Sequence, residues 1–540
     1  MKWSLCLVLV AEFLLFDRMT SLHCTWIYPR WNDQIQYLTE SYTGYEDLKA
    51  NGFLPGIGHA LAAPAAQGKL HSILAILAFE AAGGPSRSAA LAVNMIAFIV
   101  WQAALAFAVL RGTGSRGLAW VAVGLTLGLK APWAGAQGSA TDFRLDHLAM
   151  CMMGIALAAG LRTEGFRKRG WSLGFGIAVG MTLLSRFLTV TYFVLILCSC
   201  LAWVLASRGG EGPRRARNLG LAALVAAGIS APSFWFNSQR IYFYYWILHF
   251  LGPETAIRDT HLSLGRALLR LFGQLCAGQL GAAFGAASCL VIIILAFGVL
   301  GSSRKNPGDR TGSLPRWPRE AAVLGAIFLS APALVLALQN DDFSVVLGVA
   351  VPGAVVLVLA LGAGLRARAP AGATAAAALA ALAVGGGSFV ARQAARPYDD
   401  DFATGARTVN AVADRIFRDA RASGIAGPRV AVDQVTDCFD GQILRVICYE
   451  RHKVWLPLSM TLPTGIIAAP EAELMERLAG SDFVFATEGG ATGPWPYDQE
   501  MLALRPKILA WCNAHMRLAE RFTAFGRSMA LYERPESPAH

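Results

Sequence analysis

An α-helix needs about 20 consecutive apolar residues to cross the hydrocarbon core of a bilayer, and runs of this kind recur through the first 390 residues of the chain. They lie near residues 3–22, 88–110, 117–134, 143–161, 171–185, 187–206, 217–236, 279–300, 320–338, 343–364 and 371–390. The fold class that follows is a polytopic α-helical membrane protein with about 11 transmembrane helices. Its 540 residues are 55% hydrophobic and only 15% charged, with a mean hydropathy of +0.45. That balance is too apolar for a soluble globular protein of this size. The first run resembles a secretory signal in length, but Glu12 and Asp17 interrupt it and no small-residue cleavage site follows, so it reads as an uncleaved span.

The formal net charge is +11, and its distribution matters more than its size. Residues 391–540 hold 17 basic and 19 acidic side chains, which leaves +13 on the first 390. The excess falls in alternate short connections: Arg111 and Arg116, then Arg162, Arg167, Lys168 and Arg169, then Arg208, Arg214, Arg215 and Arg217. Arg304, Lys305, Arg310, Arg316 and Arg319 follow, and then Arg366 and Arg368. Basic residues in short loops mark the cytoplasmic side. The N-terminus is therefore expected inside, and the connections 23–87, 134–142, 237–278 and 339–342 outside. No nucleic-acid partner is implied by a charge that sets orientation.

Outside the spans, Leu70 to Ala82 is too short to cross and reads as a helix lying on the membrane surface. The Ala-rich stretch Ala371 to Gly387 reads as the last span. From Tyr398 the pattern becomes that of a small α/β unit. Helices are predicted over 402–422, 471–479 and 498–513, and strands over 429–435, 482–487 and 528–534. The expected domains are residues 1–395, a transmembrane domain with a first outer loop at 23–87, and residues 396–540, an extracytoplasmic α/β domain. Cys438 and Cys448 lie ten apart in that outer region, where an oxidising compartment would allow a disulfide. No zinc-ligand spacing occurs.

Ionisable groups at the membrane edge are costly, so each is a functional candidate. Asp33 stands in the first polar segment, with Tyr37 and Glu40 at spacings of four and seven on one helical face. An amphipathic helix with a merely wet polar side would show the same pattern. The stretch Gly138 to His147 places Asp142, Arg144, Asp146 and His147 at the outer mouth of a span. Asp142 could be only a helix cap, whereas Asp146 already lies within the apolar run. Residues 171–206 are too few for two spans and a loop, so Arg186 must sit at or below the outer surface, pointing at an anion or a carboxylate. Snorkelling to headgroups is the competing account. Between Phe234 and His261, aromatics interleave with Arg240, His249, Arg258, Asp259 and His261, and Arg240 and Tyr245 become substrate-binding candidates. An interfacial aromatic belt accounts for most of those rings equally well.

Taken together, these features resemble the membrane glycosyltransferases of the C-type fold, the class of the protein O-mannosyltransferases and the aminoarabinose transferase of lipid A. The resemblance covers most of residues 1–395. It rests on Asp33-Gln34 with Tyr37 in the first outer loop, Arg144-Leu145-Asp146 at the outer end of a later span, and Arg186 at an outer turn. Residues 68–94 add a match to the family's juxtamembrane helix, Gly-rich turn and second span. It implies transfer of a sugar, with inversion, from a polyprenyl-phosphate donor to a glycolipid, polysaccharide or protein acceptor on the outer face of a bacterial inner membrane. It also implies Asp33 and Asp146 as catalytic residues and Arg186 and Arg144 as donor-phosphate ligands. Tyr37, Asp142, His147, Arg240 and Tyr245 would then contact substrate. No cofactor is implied; a divalent metal stays open, because Gln34 replaces the Glu that often follows the first Asp. The rival readings are a transporter or flippase for an envelope lipid, and a scaffold acting through its outer domain. Inverted repeats and midplane broken helices would mark the transporter, whereas the charges here cluster at the outer rim.

Overall fold

The computed structural model describes residues 2–27, 33–133, 138–206, 211–251, 262–303, 316–339, 344–432, 441–460, 470–489 and 498–535. The chain divides into two compact units. One comprises Met1–Met19, Thr43–Gly84 and Ala89–Ala395; the other comprises Thr20–Tyr42, Pro85–Ser88 and Arg396–His540.

The first unit is helical. In chain order the helices lying wholly or partly in it include α1 (Lys2–His23), α2 (Asp33–Asn51), α3 (Phe53–Ala62), α4 (Leu70–Ala82), α5 (Arg87–Thr113), α6 (Arg116–Gly128), α7 (Leu145–Arg162), α8 (Arg169–Ser185), α9 (Thr189–Ala206) and α10 (Gly212–Phe236), with the end of α1, the first half of α2 and the start of α5 belonging to the second unit. After α11 (Ser238–Ile241) comes a π-helical stretch, Tyr242–Leu251, and then α12 (Leu264–Gln274), α13 (Gly281–Ser303), α14 (Arg316–Gln339), α15 (Val351–Arg366) and α16 (Ala371–Ala394). Among the described residues, eight helices are long and apolar enough to cross a membrane: Arg87–Thr113, Leu145–Arg162, Thr189–Ala206, Gly212–Phe236, Leu264–Gly301, Arg316–Leu338, Val346–Arg366 and Ala371–Ala394. The protein is a multi-pass membrane protein. Three further segments expected to span are helical but differ from such a helix. α1 carries Glu12, Asp17 and Arg18, while α6 has 13 residues and α8 has 17.

Close helix contact in this unit depends on small residues, as expected where lipid provides no hydrophobic drive. α6 packs on α16 so tightly that a Cβ on Gly385 would lie 1.9 Å from the carbonyl oxygen of Gly124. The predicted surface helix forms with the predicted bounds, Leu70–Ala82, and ends on Gly83 in the left-handed conformation that glycine favours.

The second unit contains α17 (Asp400–Ala422), β1 (Val430–Val432), α18 (Gly441–His452), β2 (Leu458–Met460), α19 (Glu471–Ala479), β3 (Phe483–Gly489), α20 (Asp498–His515), β4 (Arg517–Ala524) and β5 (Arg527–Glu533). α17 begins where the Asp399 carboxylate accepts the Phe402 N–H at 2.7 Å, an N-cap. The five strands run in the order β2-β1-β3-β5-β4, with β1 parallel to β2 and β3, and β5 antiparallel to β3 and β4. The β4–β5 turn is Phe525-Gly526, both at positive φ, which is the backbone a two-residue hairpin needs. Val484, Ala486, Ile508, Cys512 and Tyr532 form the core between sheet and helices. α18, β2 and β4 were not predicted. Cys438, and with it the Cys438–Cys448 pairing, lies outside the described residues.

Candidate functional site

Two aspartate–arginine pairs stand at the start of α7 in the first unit. Asp146, in the first turn, meets the guanidinium of Arg186, the residue that ends α8 in an extended conformation. Asp142 faces Arg144, with Nε 3.5 Å from Oδ2, and the same carboxylate accepts the Gly138 N–H at 2.8 Å. Asp142 therefore closes its own loop rather than capping α7, whose N-cap is Arg144. All four side chains are buried or nearly so. Burial makes each charge depend on its partner, because an uncompensated ion in low dielectric costs several kcal/mol.

The turn that carries Arg186 is held by the segment preceding α4. Lys69 N donates to Leu184 O at 2.8 Å, and Phe187 N donates to Gln67 O at 2.6 Å. Between them only glycine fits, since a Cβ on Gly68 would sit 2.4 Å from Ser185 O. This contact brings buried Lys69 beside the Arg186 turn, a cation that sequence reasoning passed over although it opens the predicted surface helix. Gln67 in turn donates to the Tyr244 hydroxyl at 2.6 Å. Tyr245, next along the π-helical stretch, has its hydroxyl enclosed; burial pushes it up to about 12, with the Arg186 charge pulling it back and that of Asp146 adding to the rise. Wide π turns concentrate at functional positions.

Asn94, in the apolar run of α5, organises the loop from below. Its Nδ2 donates to Ala140 O at 3.1 Å and Asp142 O at 2.9 Å, so its Oδ1 accepts from His71 Nε2 at 3.0 Å. His71 stacks on Phe143, with ring centroids 3.8 Å apart. His147 is fully enclosed and donates from Nε2 to Asn94 O at 3.2 Å, so its place is inside the packing that supports the loop. Burial lowers His71 to about 3, against the pull of its bond to Asn94. A histidine held neutral contributes stability that is complete above its ordinary value of 6.5 and is lost as pH falls toward 3. His71→Gln retains a donor for Asn94. Its unfolding free energy in detergent should therefore fall less on acidification than that of the wild type, by at most about 1.4 kcal/mol per pH unit. Identical acid limbs would remove this role from His71.

The second unit holds other predicted residues. Asp33 is half-buried in the first turn of α2, and Tyr37 is buried one turn on, its carbonyl accepting the Ser41 hydroxyl at 2.6 Å. Gln34 is fully buried and accepts from Arg87 at 3.3 Å, while Arg87 also donates to Ile27 O at 2.7 Å. Gln34 thus serves as the partner of a buried cation. Arg240, in the first unit, is exposed on α11. Arg258, Asp259 and His261 lie outside the described residues, as does the side chain of His249. Among the described residues no group of three or more His, Cys, Asp or Glu side chains is placed to hold a metal ion.

A bundle of apolar helices with a rim of buried aspartate–arginine pairs, followed by a small α/β unit, has the fold of the C-type membrane glycosyltransferases. The solved structures that share it include ArnT, the aminoarabinose transferase from Cupriavidus metallidurans. The apo form aligns with a TM-score of 0.60 at 14% identity over 98% of both chains. The form bound to undecaprenyl phosphate aligns with a TM-score of 0.58 at 14% identity over 97% of both. No protein-family model matches the chain, and no curated protein matches it in sequence.

Proposed function

We propose that this protein is an integral membrane glycosyltransferase that moves a sugar from a polyprenyl-phosphate donor to an envelope acceptor, inverting the anomeric centre. The observation that carries the reading is the buried Asp146–Arg186 pair at the rim of the apolar helices, in a fold shared with a protein that binds undecaprenyl phosphate. Asp142, Arg144, Asp146, Arg186 and neighbouring Lys69 sum to one positive charge, which suits the single negative charge of a lipid-linked sugar phosphodiester. When the glycosidic bond breaks, the leaving phosphate gains a second charge. Arg186 and Lys69 stabilise it where water is excluded. Asp33 takes the proton of the acceptor hydroxyl as that oxygen attacks in line, and the single displacement accounts for inversion. Tyr37, Tyr245, Asp142 and His147 shape the substrate site, with His147 acting through Asn94.

The acceptor is a glycolipid, polysaccharide or protein on the outer face of a bacterial inner membrane. The N-terminus is cytoplasmic and residues 396–540 are periplasmic, because this orientation puts every arginine-rich short loop on one side. Purified protein in vesicles containing a polyprenyl-phosphate sugar should release free polyprenyl phosphate when acceptor is supplied, and reporters fused after Arg215 and Arg396 should read opposite sides. Movement of intact donor across the vesicle without release of polyprenyl phosphate would replace this reading with a transporter.

A further inference from the structure

An apolar groove of about 570 Å³ runs between α1 and α5, bounded by Leu5, Leu9 and Phe13 on one side and Ile99, Ala103 and Phe107 on the other. Ile99 to Phe107 spans about 12 Å of helix, close to the thickness of one leaflet's hydrocarbon, about 15 Å. At its end the Phe107 ring is covered by two guanidiniums, Arg111 at 5.3 Å and Arg162 at 4.8 Å from the ring centroid. Arg162 also lies 4.6 Å from the Trp171 ring. The two cations are within each other's electrostatic reach. Among the described residues neither makes a hydrogen bond or an ion pair, and the Nε of Arg162 is buried without an acceptor. Glu164, the carboxylate whose charge reaches Arg162, is engaged by Lys168 at 2.5 Å.

Two like charges gathered at one ring repel, a cost that the ring's attraction reduces and that an anion between them would offset. Independent snorkelling would extend each arginine to its own headgroup, not gather both over Phe107. The groove and the cations meet at that one residue. We propose that they form a single site for an anionic phospholipid, with an acyl chain in the groove and the headgroup phosphate between Arg111 and Arg162. Phosphate suits the guanidinium fork, and basic pockets between spans are a recurrent mode of anionic-lipid recognition. The site uses no residue of the proposed transfer reaction and stands independently of it.

The test is lipid retention. Wild-type protein in vesicles of phosphatidylcholine and phosphatidylglycerol should carry phosphatidylglycerol through delipidation, counted by mass spectrometry, and should unfold at higher temperature than in phosphatidylcholine alone. Arg111→Gln with Arg162→Gln should lower retention on the order of tenfold or more, as expected for lost hydrogen bonds to a charged group. Ala103→Phe fills the groove and should give a similar loss with the arginines intact. Glycerol phosphate, which has the headgroup charge but no chain, should neither compete nor stabilise. Equal phosphatidylglycerol retention by the wild type and the double Gln variant would overturn the site. So would equal stability of the wild type in the two lipid mixtures, a measurement that needs no variant. Stabilisation by glycerol phosphate would show an adventitious anion site in which the groove has no part.

Discussion

Asp33→Asn should lower sugar transfer about 10²–10⁴-fold, the usual worth of a positioned general base, while leaving the amount of folded protein unchanged. Asparagine keeps the shape of the side chain and its capacity to accept hydrogen bonds, and it removes only the group that takes the proton. Stability should hold because the anchoring of this stretch lies in its neighbours. Gln34 and Tyr37, one and four positions on, are buried, and Arg87 ties Gln34 to the Ile27 carbonyl. Asp33 itself is half-buried, and asparagine keeps its shape and acceptor capacity, so the change in unfolding free energy should stay near the typical single-substitution value of about 1 kcal/mol. Arg87→Ala is the informative contrast, since it strips Gln34 of its buried partner and should reduce folded protein and transfer together. The measurement is sugar transferred in membranes at matched protein levels. Full activity in Asp33→Asn combined with Asp146→Asn would remove the carboxylate mechanism altogether.

The parts of this fold that could be read in advance are those decided by local chemistry. The bounds of α4 follow from an apolar run between Lys69 and Gly83. A break near Arg186 follows from arithmetic on residues 171–206, and Arg186 does end α8. β4 escaped notice because its sequence, RLAERFTA, is charged and mostly exposed, so that the alternation marking a half-buried strand is faint. β2 has three residues and leaves no pattern. In the site, residue types were legible but pairings were not. Asp146 stands two residues from Arg144 yet meets Arg186, 40 positions on, and Arg144 turns to Asp142. Only the packing of α7 against α8 could reveal that exchange. The roles of Asn94, His71 and Lys69 were missed, although a polar residue inside an apolar run is itself a signal. Asn94 sits within AALAVNMIAFIV, where no local cap or turn accounts for it.

Asp146 and Arg186 should behave as one unit in stability and as two in chemistry. With side chains only 10% and 11% exposed, the pair falls in the regime where removing one partner strands the other. Asp146→Asn and Arg186→Gln should therefore each cost roughly 3–5 kcal/mol. The double variant leaves no uncompensated charge and should cost less than the sum, with a coupling of about 2–3 kcal/mol between the two changes. Transfer should not recover with stability, because the double variant also lacks a cation for the leaving phosphate, and removal of one such stabilising group typically costs about 10²–10³-fold in rate. Arg186→Lys separates the remaining alternatives. A point charge keeps part of the attraction for phosphate but cannot reproduce a planar fork, so donor use should be weakened and not abolished. Additive stability costs would mean that the pair does not hold in the membrane. A double variant with normal transfer would return Arg186 to a structural role and leave Lys69 as the cation that faces the phosphate.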